Sequence, residues 1–422
     1  MMEETGEPRA KLLYLESLRG VAAVVVVFSH FASAFFPASS QDPFAPMHSR
    51  LEPLLHNTPL GIILAGNFAV CLFFVMSGFV LVRPFFQSRR HDLLVSASVR
   101  RYFRLMPPVA VSIFSAYLLL RLGWFTNQSQ VVPTGSYWLG ALWPFTAHLH
   151  DALYQAFVGA FTNPIVSYNP LLWTMWTEFF GSLLIFAIAG LTAGLSRRWV
   201  IYALLLVIFA RGYFLGFIAG MIIADYMSLP GHEKSILKRL KPRALGGIML
   251  VGLLLGAYPS DLHADVTMYS HFILPHFNPL QLISFWHTLG AILVLLSVLY
   301  WSAARRWLSH KWLVLLGRLS FSLYLSHMII LCTVGTFLFS MLHAHLGYRT
   351  SFIFTFWLTM VVILGVSILY AKLIDAPSII WAKSVGRWLV GGEQYETNRQ
   401  FSPNYMKVKS ALMARFGAIF LS

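Results

Sequence analysis

The sequence predicts an all-α fold: a polytopic membrane helix bundle of about ten transmembrane helices, with both termini in the cytoplasm. Three observations carry that prediction. First, of 422 residues 57% are hydrophobic and only 11% charged, and the mean hydropathy is +0.67, outside the range of soluble globular domains. Second, the apolar residues gather into stretches near the ~20 residues that a bilayer span requires, which leaves no room for a large soluble domain. Third, Lys and Arg collect in alternate connections, the positive-inside pattern. Aromatics at 15%, 29 glycines and two cysteines exclude disordered, collagen-like and disulfide-scaffold classes. Cys71 and Cys332 lie inside apolar runs, as packed thiols.

The predicted spans are 18–36, 60–82, 105–122, 171–195, 199–210, 212–226, 244–257, 284–300, 319–341 and 352–374. The first follows a leader rich in Glu, which argues against reading Ala32-Ser33-Ala34 as a signal cleavage site. Spans two and three are joined by Arg83, Arg89, Arg90, Arg100, Arg101 and Arg104. The fifth and sixth runs flank Arg211 and read as two thin spans or one re-entrant pair; either leaves the later topology unchanged. Lys234, Lys238, Arg239, Lys241 and Arg243 precede the seventh span, and Arg305, Arg306, Lys311 and Arg318 precede the ninth. Arg9, Lys11, Arg197, Arg198 and the tail from Lys372 onward fall on the same side, whereas the intervening loops hold Arg50 and Arg349.

The net charge of +15 therefore sets topology and suits lipid headgroups; it is not one basic surface for nucleic acid. The connection 123–170 has no Lys or Arg and carries Asn127-Gln128-Ser129, the pattern of a glycosylation acceptor. Residues 1–377 form the transmembrane domain, and 378–422 a cytoplasmic tail with two interfacial helices, Ser378–Leu389 and Lys407–Phe420. The protein is expected to be integral to the plasma membrane or an endomembrane.

Ionisable groups at membrane depth cost roughly 2.5–3.5 kcal/mol even on the mild insertion scale, so each is a functional candidate. They are Arg19, His30, Glu178, Arg211, His287 and His327. Arg19 and His30 are eleven residues apart, about 1100° of helix, which leaves them on one face some 16 Å apart. Such a pair could hold an anion near the cytoplasm and present an imidazole deeper in the bundle; the plain alternative is a topology-setting charge and a packing histidine. Glu178 needs a basic partner from another span, and either pairs structurally, orients an imidazole, or binds a proton or hydroxyl. His327 ends a hydroxyl-rich run, Gly317 to Ser326, that suits helix packing. No zinc-ligand spacing, nucleophile elbow or Walker loop occurs, so no metal is assigned.

Tyr14-Leu15-Glu16-Ser17-Leu18-Arg19-Gly20 running into Ser29-His30 resembles the opening of the acyltransferase family 3 membrane proteins, with their Arg or Lys, ten residues and His. Phe73-Phe74-Val75-Met76-Ser77-Gly78-Phe79, Arg100-Arg101-Tyr102-Phe103-Arg104-Leu105-Met106-Pro107, Trp173 with Glu178, Gly317 to His327 and Asp375-Ala376-Pro377 match further elements of that family in order. Glu178 is followed by Phe179-Phe180-Gly181-Ser182, without the second acidic residue of the bacterial form, and so is more similar to the fungal branch.

The resemblance implies O-acyl transfer, usually acetyl, from acyl-coenzyme A as co-substrate to a hydroxyl-bearing carbohydrate, lipid or small molecule, with no permanently bound cofactor. It implies His30 as general base with Glu178 fixing its tautomer, and Arg19, Arg100, Arg101 and Arg104 lining the donor mouth, since guanidinium suits bidentate phosphate contacts. Ser77, Trp173 and Tyr324, with His327, form the expected substrate or oxyanion pocket. Two other classes would use the same residues: a proton-coupled transporter running through His30, Glu178 and His327, and a catalytically silent scaffold.

Overall fold

The computed structural model describes residues 12–40, 42–231, 236–261 and 263–390. All regular elements among the described residues are helices. The long ones are α1 (Leu13–Phe35), α2 (Gly66–Ser88), α3 (His91–Arg121), α4 (Trp173–Thr192), α5 (Arg198–Ile208), α6 (Phe214–Met227), α7 (Pro242–Gly256), α8 (Pro279–Tyr300), α9 (Lys311–Ile330), α10 (Tyr348–Tyr370) and α11 (Ala376–Val390). A π segment, Leu331–Gly335, carries α9 on into Thr336–His343, and another, Ala371–Asp375, joins α10 to α11.

Seven helical stretches are long and apolar enough to cross a membrane. The runs expected at 199–210, 212–226 and 244–257 form helices α5, α6 and α7 of only 11, 14 and 15 residues. At 1.5 Å per residue these reach about 16–22 Å, short of a ~30 Å hydrocarbon core. The expectation of about ten spans, two of them thin or re-entrant around Arg211, thus becomes seven long helices and three short ones among the described residues. α5 and α6 are tied by the fully buried Asp225, which accepts from Arg198 Nε at 2.6 Å and Tyr202 at 3.2 Å.

Span three also begins earlier than its hydropathy suggests. α3 starts at His91 and runs 31 residues through Pro107 and Pro108, so Arg100, Arg101 and Arg104 sit on a helix and not on a loop. Arg104 lies three residues from Arg101 and four from Arg100, so it neighbours both on the helix surface, whereas the adjacent Arg100 and Arg101 diverge by about 100°.

Two close helix pairs place the site. α1 and α9 touch at Gly20 and Gly317, where a Cβ on either would strike the other helix's backbone. α2 and α6 meet in the same manner through Gly78 and Gly220. Small residues of this kind let membrane helices approach to backbone contact. Outside the bundle, α10 turns Trp357, Val361 and Leu369 outward and buries Ser351, Thr355, Thr359 and Ser367, a face for lipid and a face for protein. The predicted helix 378–389 is present within α11, packed along α3; the predicted helix 407–420 lies outside the described residues.

Candidate active site

Two cavities occupy the bundle, one toward each end. The first, about 180 Å³, lies at the end that carries the basic helix starts and is lined by Arg19, Ser77, Arg101, Arg104, Glu178 and Phe321 among others. The second, about 200 Å³, opens beyond the C-terminal half of α1 and is lined by Ser29, His30, Asn67, Trp138, Trp173, His56 and Asp261 among others. Val70 and Tyr324 line both.

In the basic cavity most charges are matched. Arg101 is paired with Glu178 and donates to Ser182 Oγ at 3.0 Å, while Ser77 Oγ donates to the same carboxylate at 2.8 Å. Arg104 bonds Asp375 at 2.6 Å and Ser378 Oγ at 2.9 Å, with its guanidinium 5.3 Å from the centre of the Phe321 ring. Arg19 has no hydrogen-bond or ion-pair partner among the described residues, and its side chain is exposed to the cavity. With carboxylates only at longer range, Glu178, Asp375 and Glu16, it is a cation with free donors facing the cavity, the arrangement that attracts an anion.

Arg100 does not join this set. Its Nε donates to Ser96 O at 2.9 Å and its side chain packs over Gly386 of α11, away from the residues that line the cavity. The expectation that it lines the donor mouth is corrected accordingly.

At the other end, His30 and His327 meet although 297 residues separate them. Gly20 and Gly317 mark the crossing of α1 and α9, and each histidine lies ten residues further on, about 15 Å along its helix. His327 Nδ1 is 2.9 Å from the carbonyl of Leu323, an acceptor only, so Nδ1 carries the hydrogen. His327 Nε2 is then the acceptor toward His30 Nδ1 at 2.9 Å, which therefore donates. His30 Nε2 is left as the basic nitrogen of a half-buried residue on the cavity wall; the tautomers are assigned from this bond network.

This corrects two expectations. Glu178 does not orient His30: it is engaged with Arg101 and Ser77 in the other cavity, and the place beside His30 Nδ1 belongs to His327. His327 itself is 1% exposed and stands behind His30, not on a pocket wall. Of the three expected oxyanion donors, Ser77 gives its proton to Glu178, and Tyr324 gives its own to Leu171 O at 2.9 Å, beside Thr174 Oγ1 at 2.9 Å. Trp173 lines the second cavity, and its indole N–H is unused among the described residues.

The remaining intramembrane candidates are structural. His287 joins Tyr258 O at 2.7 Å to Asn67 at 3.2 Å, and Arg211 lies over Phe277 at 5.1 Å. Asn127 is fully buried and donates to Leu139 O and Leu142 O at 2.7 and 3.0 Å, so it cannot carry a glycan in this fold.

Sequence reasoning missed two groups. His56 and Asp261, 2.6 Å apart, line the second cavity from separate connections, and Trp138 stacks on His30. Neither stands at a spacing that marks it.

The family model for the acyltransferase domain of acyltransferase family 3 matches residues 12–372. The chain belongs to acyltransferase family 3. Among curated proteins this family 3 chain is similar to Acyltransferase clz18 of Cochliobolus lunatus, 24% identical over 88% of this chain and 95% of the relative. Acyltransferase R4 of a Phoma species is 23% identical over 81% and 87%. O-acetyltransferase PaAT-1 of Phomopsis amygdali is 25% identical over 76% and 72%. No solved structure matches the chain. The protein is an acyltransferase of the membrane, built on a multi-helix bundle.

Proposed function

We propose that the protein is an O-acyltransferase that moves an acyl group, as in acetyl-coenzyme A, to a hydroxyl of a carbohydrate, lipid or small natural product, with His30 as general base. The observation that carries this reading is the hydrogen-bond relay Leu323 C=O, His327, His30. It supports a neutral imidazole held in one tautomer, with Nε2 left as the acceptor nitrogen.

His30 Nε2 takes the proton of the acceptor hydroxyl as the oxygen attacks the thioester carbon, a contribution of about 10²–10⁴ in rate. The tetrahedral intermediate's oxyanion is met by the Trp173 N–H. The carbon–sulfur bond then breaks, and the thiolate of coenzyme A recovers a proton from the His30 imidazolium. Arg19 anchors the polyanionic donor in the basic cavity, which the positive-inside rule places toward the cytoplasm, where coenzyme A is made. Arg101 and Arg104, held by Glu178 and Asp375, shape that cavity. The wall shared at Val70 and Tyr324 suits a reaction in which donor and acceptor approach from opposite membrane faces and meet beside His30.

The test is thiol release from acetyl-coenzyme A by the detergent-purified protein, with water and glycerol as accepting hydroxyls. His30→Ala is expected to lose about 10²–10⁴ of the rate while melting at the wild-type temperature. A folded His30→Ala protein with normal turnover removes His30 from the role of base.

A further inference from the structure

Trp138 comes from the connection between α3 and α4, on the five-residue helix Tyr137–Ala141. Its ring lies parallel to His30, with centroids 5.6 Å apart and an interplanar angle of 7°. His327 reaches the same imidazole through Nδ1, with ring centroids 5.1 Å apart. One contact therefore fixes an edge of His30, and the other sets an indole parallel to the ring in an offset stack.

The indole is held in that place by a built support. Ser136 Oγ donates to Ser33 O of α1 at 2.6 Å, which ties the residue before the short helix to the helix that carries His30. Asn127 donates to Leu139 O and Leu142 O, and Gln128 donates to Gly140 O at 2.9 Å. Ser136, Asn127 and Leu139 are all fully buried. Tyr137, the neighbour of Trp138, is 80% exposed, so it is Trp138 that the connection delivers inward.

We propose that Trp138 is a positioning residue for acyl transfer, its indole face supporting His30 as the imidazole takes up the acceptor's proton. The inference rests on the reading of His30 as base. An aromatic face attracts a cation within about 6 Å, and His30 is cationic only after it has accepted the proton. The contact is stronger in the transition state than in the resting enzyme, so it acts on turnover and not on the binding of either substrate.

The experiment compares Trp138→Phe, Trp138→Leu and His30→Ala in the detergent-purified full chain, by thiol release from acetyl-coenzyme A with water and glycerol as acceptors. Trp138→Leu is expected to lower kcat about tenfold, equivalent to ~1.4 kcal/mol, with the KM for acetyl-coenzyme A unchanged; Trp138→Phe is expected to restore most of the loss. Equal melting temperatures exclude simple unfolding. The proposal is overturned if Trp138→Leu turns over normally, if Phe is as damaging as Leu, or if the loss resides in KM. Failure of the underlying reading shows separately, as full activity of His30→Ala or no thiol release by the wild type.

Discussion

The two cavities solve opposite problems with different chemistry. The basic cavity gathers three guanidinium groups and pairs two of them directly, Arg101 with Glu178 and Arg104 with Asp375, so that among the described residues Arg19 alone of the three meets an incoming anion with no direct ion pair. In the His30 cavity the chemistry depends on hydrogen-bond direction: one imidazole donates to another, which donates to a carbonyl, and an indole stacks parallel to the first ring. Charge near the donor is thus kept apart from the neutral base, which a close cation would hinder from accepting a proton.

The comparison breaks most sharply at His327. His327→Ala leaves the His30 Nδ1–H without its acceptor and the tautomer unfixed; a buried donor left unsatisfied costs about 1–3 kcal/mol. Turnover is expected to fall roughly 10- to 100-fold with donor binding intact, whereas Glu178→Gln should leave the chemical step near normal and act on the donor. Kinetics in which Glu178→Gln lowers kcat and His327→Ala does not would restore the carboxylate as His30's partner.

Arg19→Ala should act in the other cavity. A charge-assisted contact is worth about 1.5–3 kcal/mol, so affinity for coenzyme A is expected to drop roughly 10- to 100-fold, with Arg19→Lys keeping part of it. Arg100→Ala is the internal control and should bind donor like the wild type. Equal losses from Arg19→Ala and Arg100→Ala would show that general basicity, and not this cavity, holds the donor.

A smaller effect concerns the rim of the His30 cavity. His56 Nε2 is 2.6 Å from Asp261 and its Nδ1 is 2.9 Å from Asn57 Oδ1. Burial opposes charge on this ring, but the bonds to Asp261 and Asn57, with the charges of Asp261 and Asp42, outweigh it and raise the imidazole above its ordinary value. A raised folded-state value means stabilisation that is complete below the unfolded value of about 6.5 and disappears as pH climbs through the folded one. The melting temperature should therefore fall across that window, and His56→Ala should flatten the fall; an identical slope in the variant would assign the effect to other groups.

Much of this arrangement is legible in the sequence because membrane physics is local. Apolar length and the alternation of Lys and Arg mark the long helices, and the spacing of Arg19 and His30 sets both on one face. Helix period sets Arg100 one turn from Arg104 on a shared face, so it is the contact with Gly386 of α11 that takes Arg100 out of the cavity; hydropathy hides the start of α3 at His91, since its first turns are polar. The short helices α5, α6 and α7 read as spans because their composition is apolar, and composition does not report length to within a turn.

The His30–His327 pair is a tertiary fact. Its one trace in the sequence is the equal offset of ten residues from Gly20 and Gly317, which gains meaning only when those glycines are known to touch. From the sequence Glu178 reads as a partner for His30 because an intramembrane carboxylate needs one, and the polar start of α3 hides that Arg101 stands on a helix within reach of it. Trp138 and the His56–Asp261 pair are set by connections whose course no periodicity encodes.

The most direct test of the account is a titration of coenzyme A against the melting temperature of the purified His30→Ala and Arg19→Ala proteins, since a ligand that binds the native state raises it. The account predicts a wild-type shift in His30→Ala, which nevertheless releases thiol from acetyl-coenzyme A about 10²–10⁴-fold more slowly, and a diminished shift in Arg19→Ala. A shift abolished by His30→Ala and preserved in Arg19→Ala would contradict the division of donor anchor and base between the two cavities.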